Sequence, residues 1–264
     1  MTDTKPVHTE IAAHAEGEVA TVVIDNPAML NALTIEVLSE LAGQIGAAGA
    51  RPDVRAIVLT GAGPRAFSAG ADVNALAAIE GPAAARVFIG RIHAVCEAIR
   101  TAPVPVVGAI RGYCFGGALE IAAACDLRIA AADAQFGMPE VRLGIPSVVE
   151  AALLPTLIGW GRTRRLLYTG ETIDADKALA WGLVEELTEP ADLDAAVARV
   201  VADIRACGPK SIRDQKKLMQ AWERLPLAEA IAAGAEAFAD AHRTDEPARM
   251  IAGFLAERAA RKAR

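Results

Sequence analysis

The sequence has four cysteines, and Phe, Trp and Tyr together make up only 4% of it. Cys96, Cys114, Cys125 and Cys207 include no pair closer than 11 positions. There is thus no C-x-x-C pair and no zinc-ligand spacing, and nothing calls for an oxidising compartment. The first three lie in apolar stretches and read as core. No uninterrupted apolar run reaches the roughly 18–20 residues that a membrane helix needs. Met1 to Gly17 mixes Asp, Lys, His and Glu and lacks the apolar segment of a secretory leader. Positive charge is also short: 27 Lys and Arg against 33 Asp and Glu leave a net charge of −6, the wrong sign for a general nucleic-acid binder. His8, His14, His93 and His242 show no metal-ligand spacing, and His93 reads as a packed or solvated residue of an amphipathic helix. A soluble cytoplasmic protein without a metal is the expectation.

The 264 residues are 53% hydrophobic, with 22 Gly and 14 Pro, enough apolar material for one large core or a core plus an appendage. Short β-branched runs alternate with longer helical patterns. Val19 to Ile24, Val54 to Leu59, Val106 to Ile110, Leu127 to Ala131 and Leu183 to Leu187 read as strands, with Glu16-Gly17 as a hairpin turn before the first. Thr34 reads as the N-cap of a helix carrying Val37, Leu38, Leu41 and Ile45 on one face. Phe88, Ile92, Val95, Cys96 and Ile99 mark a second amphipathic helix, and Ser147 to about Tyr168 is helical in pattern. After Pro190 the strand signal stops, and Ala191 to Arg264 is helical. This alternation predicts a largely parallel α/β core.

Two familiar patterns occur out of context. Gly61-Ala62-Gly63-Pro64-Arg65-Ala66 fits a loose dinucleotide fingerprint, but Pro64 and a continuing loop stand where the phosphate-binding helix must start. Ala66-Phe67-Ser68-Ala69-Gly70 approaches a nucleophile elbow without its first glycine.

Two other loops place a small residue's amide after a strand: Ser68-Ala69-Gly70-Ala71-Asp72 and Gly112 to Glu120. Small residues admit a ligand's carbonyl close to the backbone. Gly117 stands at the start of the helix Ala118 to Cys125, with the positive end of the helix dipole behind its N–H. Two such donors would form an oxyanion hole, each worth about 3–4 kcal/mol of barrier. Glu120, in the first turn among apolar neighbours, and Glu140, twenty positions on, are candidate acids. Each also has a plainer reading, as a dipole-complementing acid and as a solvated loop acid.

Asn26-Pro27-x-x-x-Asn31-Ala32-Leu33, Phe67 to Asp72, Gly112-Tyr113-x-x-Gly116-Gly117-Ala118-x-Glu120 with Cys125-Asp126, and Phe136-Gly137-x-Pro139-Glu140 with Leu143-Gly144 occur in this order. Together they resemble the enoyl-CoA hydratase/isomerase (crotonase) superfamily, from about residue 10 to the C-terminus. The resemblance implies a crotonase-like α/β spiral of ββα units over 1–195 and a C-terminal helical oligomerisation region over 196–264, assembled as a homotrimer or homohexamer.

It further implies an oxyanion hole from Ala71 and Gly117 and a catalytic pair, Glu120 as the carboxylate that deprotonates water and Glu140 as the protonated acid. Substrate and CoA contacts are implied for Met29, Leu30, Ala32, Ala69 and Asp72. Val73, Gly116, Pro139, Phe254 and Arg258 are implied as well. The substrate is then an acyl-CoA thioester, with coenzyme A part of the substrate and no separate cofactor. Hydration of a 2-enoyl-CoA to a 3-hydroxyacyl-CoA leads. A 3-enoyl to 2-enoyl isomerase using Glu140 alone and a non-catalytic binding or scaffold protein are the alternatives. Ser147 replaces a glycine usual in the hydratases, and Glu150 adds a third acid, read as a first-turn residue. Ala28 and Asn74 stand where relatives often carry basic residues for the CoA phosphates. The tail residues Arg258, Arg261, Lys262 and Arg264 could supply that charge.

Overall fold

A computed structural model describes residues 5–262; Arg264 of the basic tail lies outside the described residues. The chain forms two compact units that divide between Val201 and Ala202.

The first unit begins with a hairpin of β1 (Val7–His14) and β2 (Gly17–Ile24). Its turn is Ala15-Glu16, one residue earlier than the sequence pattern suggests. The helix α1 (Ile35–Ala50) starts at Thr34, whose Oγ1 accepts the Val37 N–H over 3.2 Å. It buries Val37, Leu38, Leu41 and Ile45, the face expected from their spacing. Then follow β3 (Val54–Gly61), β4 (Ala66–Ser68), α2 (Val73–Ala77) and α3 (Gly81–Thr101). The buried residues of α3 are Phe88, Ile92, Val95, Cys96 and Ile99; large apolar side chains buried this way contribute about 1.5–3 kcal/mol each. Next come β5 (Val106–Ile110), β6 (Tyr113–Phe115), α4 (Gly117–Ala124), β7 (Leu127–Ala131) and β8 (Gln135–Gly137).

Two 3₁₀ turns, Pro139–Leu143 and Val149–Leu153, lead into α5 (Leu154–Ile158) and α6 (Trp160–Thr169). The single helix expected from Ser147 to Tyr168 is thus three pieces, the last two divided at Gly159, whose φ is 78°. The unit continues through β9 (Thr172–Asp174), α7 (Ala175–Trp181), β10 (Glu186–Thr188) and a final helix, α8 (Leu193–Ala206), in which the division falls. The strand expected at Leu183 to Leu187 therefore starts three residues later; Leu183 and Val184 are buried ahead of it.

The strands make a six-stranded sheet in the order β1-β2-β3-β5-β7-β10 and a four-stranded sheet in the order β4-β6-β8-β9. Only the pairs β1–β2 and β8–β9 are antiparallel. The chain alternates between the sheets: β3, β5 and β7 lie side by side in the large one, and β4, β6 and β8 lie side by side in the small one. Each ββα turn advances one place along both, so the expected spiral is present. Every residue of β5 is buried, as a strand covered on both faces requires. The glycine-bearing stretches 60–72 and 112–117 contain β4 and β6. These three-residue strands leave no legible alternation, yet they fix the loops that follow them.

The second unit holds the end of α8 and three further helices, α9 (Pro209–Trp222), α10 (Leu227–Ala241) and α11 (Glu246–Lys262). Within it, the Glu246 carboxylate accepts the N–H groups of Lys210 and Ser211 at the start of α9.

Candidate active site

The amides after β4 are almost all committed. Ala69 N–H donates to Leu30 O over 2.9 Å, Gly70 N–H to Ser68 Oγ over 3.1 Å, and Asp72 N–H to Leu33 O over 3.3 Å. Leu33 N–H in turn donates to Gly70 O over 2.8 Å. A parallel bridge of this kind uses the Gly70 carbonyl and the Asp72 N–H, and the Ala71 N–H is left without an acceptor among the described residues. The Asn26 to Leu33 motif explains itself here. Asn31, fully buried, donates through Nδ2 to Ala62 O and Ala66 O and accepts from Asn26 N–H. That holds Leu30 and Leu33 where they clasp the loop after β4.

The loop after β6 is built alike. Gly116 N–H donates to Gly137 O over 2.9 Å, while the carbonyl of Gly116 accepts the amides of Leu119 and Glu120. The Gly117 N–H, first in α4, has no acceptor among the described residues. The two loops touch: a Cβ on Gly70, whose φ is 92°, would stand 2.5 Å from Phe115 O. Ala71 and Gly117 both line one cavity of about 360 Å³, the lower end of ordinary ligand pockets.

Glu120 and Glu140 line the same cavity. Glu120 is 3% exposed, on a helix of which every residue is buried. Burial first, and then the charge of Glu140, push its carboxyl up to about 8, against a smaller opposing pull from the amides of Ala151 and Val148. Glu140 sits at the start of the 3₁₀ turn after β8. Its Oε2 accepts the Ser147 hydroxyl over 2.8 Å, and its Oε1 lies 2.5 Å from where a Cβ on Gly116 would stand. The carboxyl of Glu120 thus favours its protonated form at neutral pH. Burial by residues remote in sequence decides this.

The third acid is also buried. Glu150, 8% exposed, is in the first turn of a 3₁₀ helix, as its plainer reading had it, but its Oε1 meets His93 Nδ1 at 2.7 Å. Sequence reasoning had no local signal for this pair, whose members are 57 positions apart.

Of the other expected contacts, Ala69, Val73, Gly116 and Pro139 line the cavity. Met29, Leu30, Ala32 and Asp72 are not among its lining residues; Leu30 supports Ala69 from behind, and Asp72 caps α2 through its side chain. Phe254 and Arg258 are exposed on α11 of the second unit. Apart from Arg86, the rest of the cavity wall is apolar, with Leu76, Ile79, Phe88 and Ile89 on one part and Leu143, Ile145 and Val148 on another. The large exposed apolar side chains Leu143, Ile145 and Val148, just after Glu140, were the available signal for it. Ser68 is fully buried and holds Gly70, so it is no nucleophile; no helix opens in the Gly61 to Ala66 run. No cluster of three potential metal ligands occurs among the described residues.

The profile of the enoyl-CoA hydratase/isomerase family matches residues 14–261. The short-chain-enoyl-CoA hydratase of Clostridium acetobutylicum is 34% identical over 247 residues, covering 92% of this chain and 93% of that one. The crotonyl-CoA hydratase of Syntrophomonas wolfei is 33% identical over 257 residues, covering 96% and 97%. Among solved structures, the enoyl-CoA hydratase of Bacillus anthracis superposes with a TM-score of 0.89 at 28% identity, covering 96% of each chain. Pseudomonas aeruginosa DspI superposes with a TM-score of 0.90 at 31% identity, covering 97% and 96%.

Proposed function

The chain belongs to the enoyl-CoA hydratase/isomerase family, and from that premise we propose that it adds water across the C2=C3 bond of a 2-enoyl-CoA thioester to give the 3-hydroxyacyl-CoA. The observation that carries this reading is one largely apolar cavity lined by two acids, by Arg86 and by two residues whose amides have no acceptor among the described residues. The amides of Ala71 and Gly117 receive the thioester oxygen and stabilise the charge that develops on it. Polarised in this way, C3 accepts the oxygen of water.

Hydration needs one base and one acid, and a carboxyl pair holding a single proton supplies both. Burial keeps that proton on Glu120. One transfer through the bound water brings it to Glu140 and leaves Glu120 as the base. Glu120 then takes a proton from the attacking water as Glu140 gives one to C2. The cycle ends with the proton again on Glu120. Each acid is worth about 10²–10⁴-fold in rate.

The substrate partner is an acyl-CoA thioester. Self-association into a trimer or hexamer is part of the proposal. Leu227, Ile231 and Phe238 are 78%, 67% and 72% exposed along α10, an apolar stripe of the kind that marks an interface. The four unpaired cysteines suit the reducing cytoplasm, and among the described residues no helix is long and apolar enough to cross a membrane. The test is loss of enoyl-thioester absorbance with crotonyl-CoA, run beside 3-hexenoyl-CoA. Consumption of crotonyl-CoA supports hydration; consumption of 3-hexenoyl-CoA alone would replace it with isomerisation.

A further inference from the structure

Glu150 does not line the cavity, and its surroundings are unusual for a carboxyl. It is buried, Oε1 is held by His93, and Oε2 is buried with no conventional hydrogen-bond partner among the described residues. The weak donor of the Cys96 thiol also lies against the carboxyl. The backbone that places it is strained: Val149, just before it, has a φ of 36°. A β-branched residue in that region costs on the order of 1–3 kcal/mol, and such strain persists where the surroundings impose it. The same turn aims the amides of Val148 and Ala151 at Glu120. The Val149–Leu153 turn packs on α4, which carries Glu120, on α3, which carries His93 and Cys96, and on α5, which has no ionisable residue. α3 also carries Arg86, which lines the cavity with Glu120 and Glu140, and Arg91, Glu97 and Arg100; the charges that raise Glu120 are those of Glu140 and Glu150.

We propose that Glu150, anchored by His93, is a positioning residue that sets a fixed negative charge beside Glu120 and so strengthens Glu120 as the base toward water. The geometry suits that task. His93 sits on α3 with its side chain 54% exposed, so the anchor reaches solvent while the anion it holds stays buried. A buried charge acts on a neighbour far more strongly than an exposed one. Charge from Glu150 adds to that of Glu140 in holding the proton on Glu120. The inference rests on the hydratase reading for its use in turnover, but its electrostatic content belongs to the protein itself.

The experiment therefore follows the Glu120 carboxyl itself. Infrared titration of the ligand-free protein, with the protonated-carboxyl band assigned by its loss in Glu120→Gln, gives the pH at which Glu120 ionises. Glu150→Gln keeps the shape and removes the charge, and is expected to move that ionisation to lower pH. His93→Ala, a change at the surface, leaves Glu150 without that anchor, and a buried carboxyl without a partner gives up its charge. The ionisation of Glu120 is then expected to move in the same direction. The double variant is expected to move it no further than Glu150→Gln alone, since both act through one charge. An unmoved Glu120 band in folded Glu150→Gln or in His93→Ala overturns the proposal. Absence of hydratase activity in the parent protein would instead overturn the function, and the two outcomes are read independently.

Discussion

The Ser147 hydroxyl donates to Glu140 Oε2 over 2.8 Å, so one oxygen of the proposed acid is held while the other, Oε1, stands against Gly116. Both contacts reach Glu140 from outside its own 3₁₀ turn. Removing the hydroxyl in Ser147→Ala frees the carboxyl to rotate. A hydrogen bond to a charged group is worth about 1.5–3 kcal/mol when buried, and half-burial discounts that. Steady-state kinetics with crotonyl-CoA are expected to show about a tenfold loss of kcat with KM little changed. A parent-like kcat would remove Ser147 from the site.

The two acids themselves give the sharper test. Glu120→Gln and Glu140→Gln keep the volume and lose the ability to exchange a proton. Each is expected to lower kcat by about 10²–10⁴-fold, while the affinity for the saturated acyl-CoA, measured by calorimetry, stays within a few-fold. If either variant turned over near the parent rate, the hydration scheme would fail.

Gly70 and Gly116 offer a contrast between stability and activity. A Cβ at Gly70 meets the backbone oxygen of Phe115 at 2.5 Å, and φ there is 92°. Neither can relax without parting the two loops, so Gly70→Ala is expected to lower the melting temperature. At Gly116 the Cβ meets only the Glu140 carboxyl, at 2.5 Å, with φ at 55°. A side-chain end can swing away, leaving only the backbone strain of φ 55° and ψ −127°, on the order of 1–3 kcal/mol. Gly116→Ala is therefore expected to lose less in melting temperature than Gly70→Ala and to lose most of its kcat through a displaced Glu140. Equal melting losses in the two variants would contradict this.

The motifs that carry the site were legible because each is local. The Ala71 and Gly117 amides follow short loops, and Glu120 lies three residues beyond Gly117 on the same helix. The face of α3, from Phe88 to Ile99, was legible from its period alone. What was not legible depends on residues brought together from afar. The strands β4 and β6 are three residues long inside glycine-rich loops and take their pairing from each other. His93 and Glu150 meet only because the turn after Ser147 packs on α3. The proton on Glu120 follows from burial and from Glu140, neither of which a sequence window contains.

That proton has a signature in stability. Glu120 ionises near 4.5 in an unfolded chain and near 8 in the folded one, so between those values the native state binds the extra proton. Stability then falls as pH rises through this window and levels off above it. Urea unfolding from pH 5 to pH 9 is expected to show that decline, and Glu120→Gln to lack it and to exceed the parent at pH 8 by a few kcal/mol at most. The same ionisation removes the single proton from the acid pair, so kcat/KM for hydration is expected to fall above about pH 8. A stability profile equally steep in Glu120→Gln would assign the effect to other groups.

Chain-length preference follows from the cavity wall. Leu76, Ile79, Phe88 and Ile89 line the cavity together with Leu143, Ile145 and Val148. Each methylene buried against such a surface gains about 0.8 kcal/mol, equivalent to about a fourfold rise in kcat/KM. The rise continues until the wall is reached, and a cavity of about 360 Å³ leaves room well beyond a four-carbon chain. Longer 2-enoyl-CoA esters are therefore expected to outperform crotonyl-CoA. Ile89→Trp fills part of that volume without touching either acid or either amide. The variant is expected to keep its rate on crotonyl-CoA and to lose about tenfold or more on a ten-carbon ester. A uniform loss across the series would mean that the substitution disturbs the catalytic groups; no loss at all would place the acyl chain elsewhere.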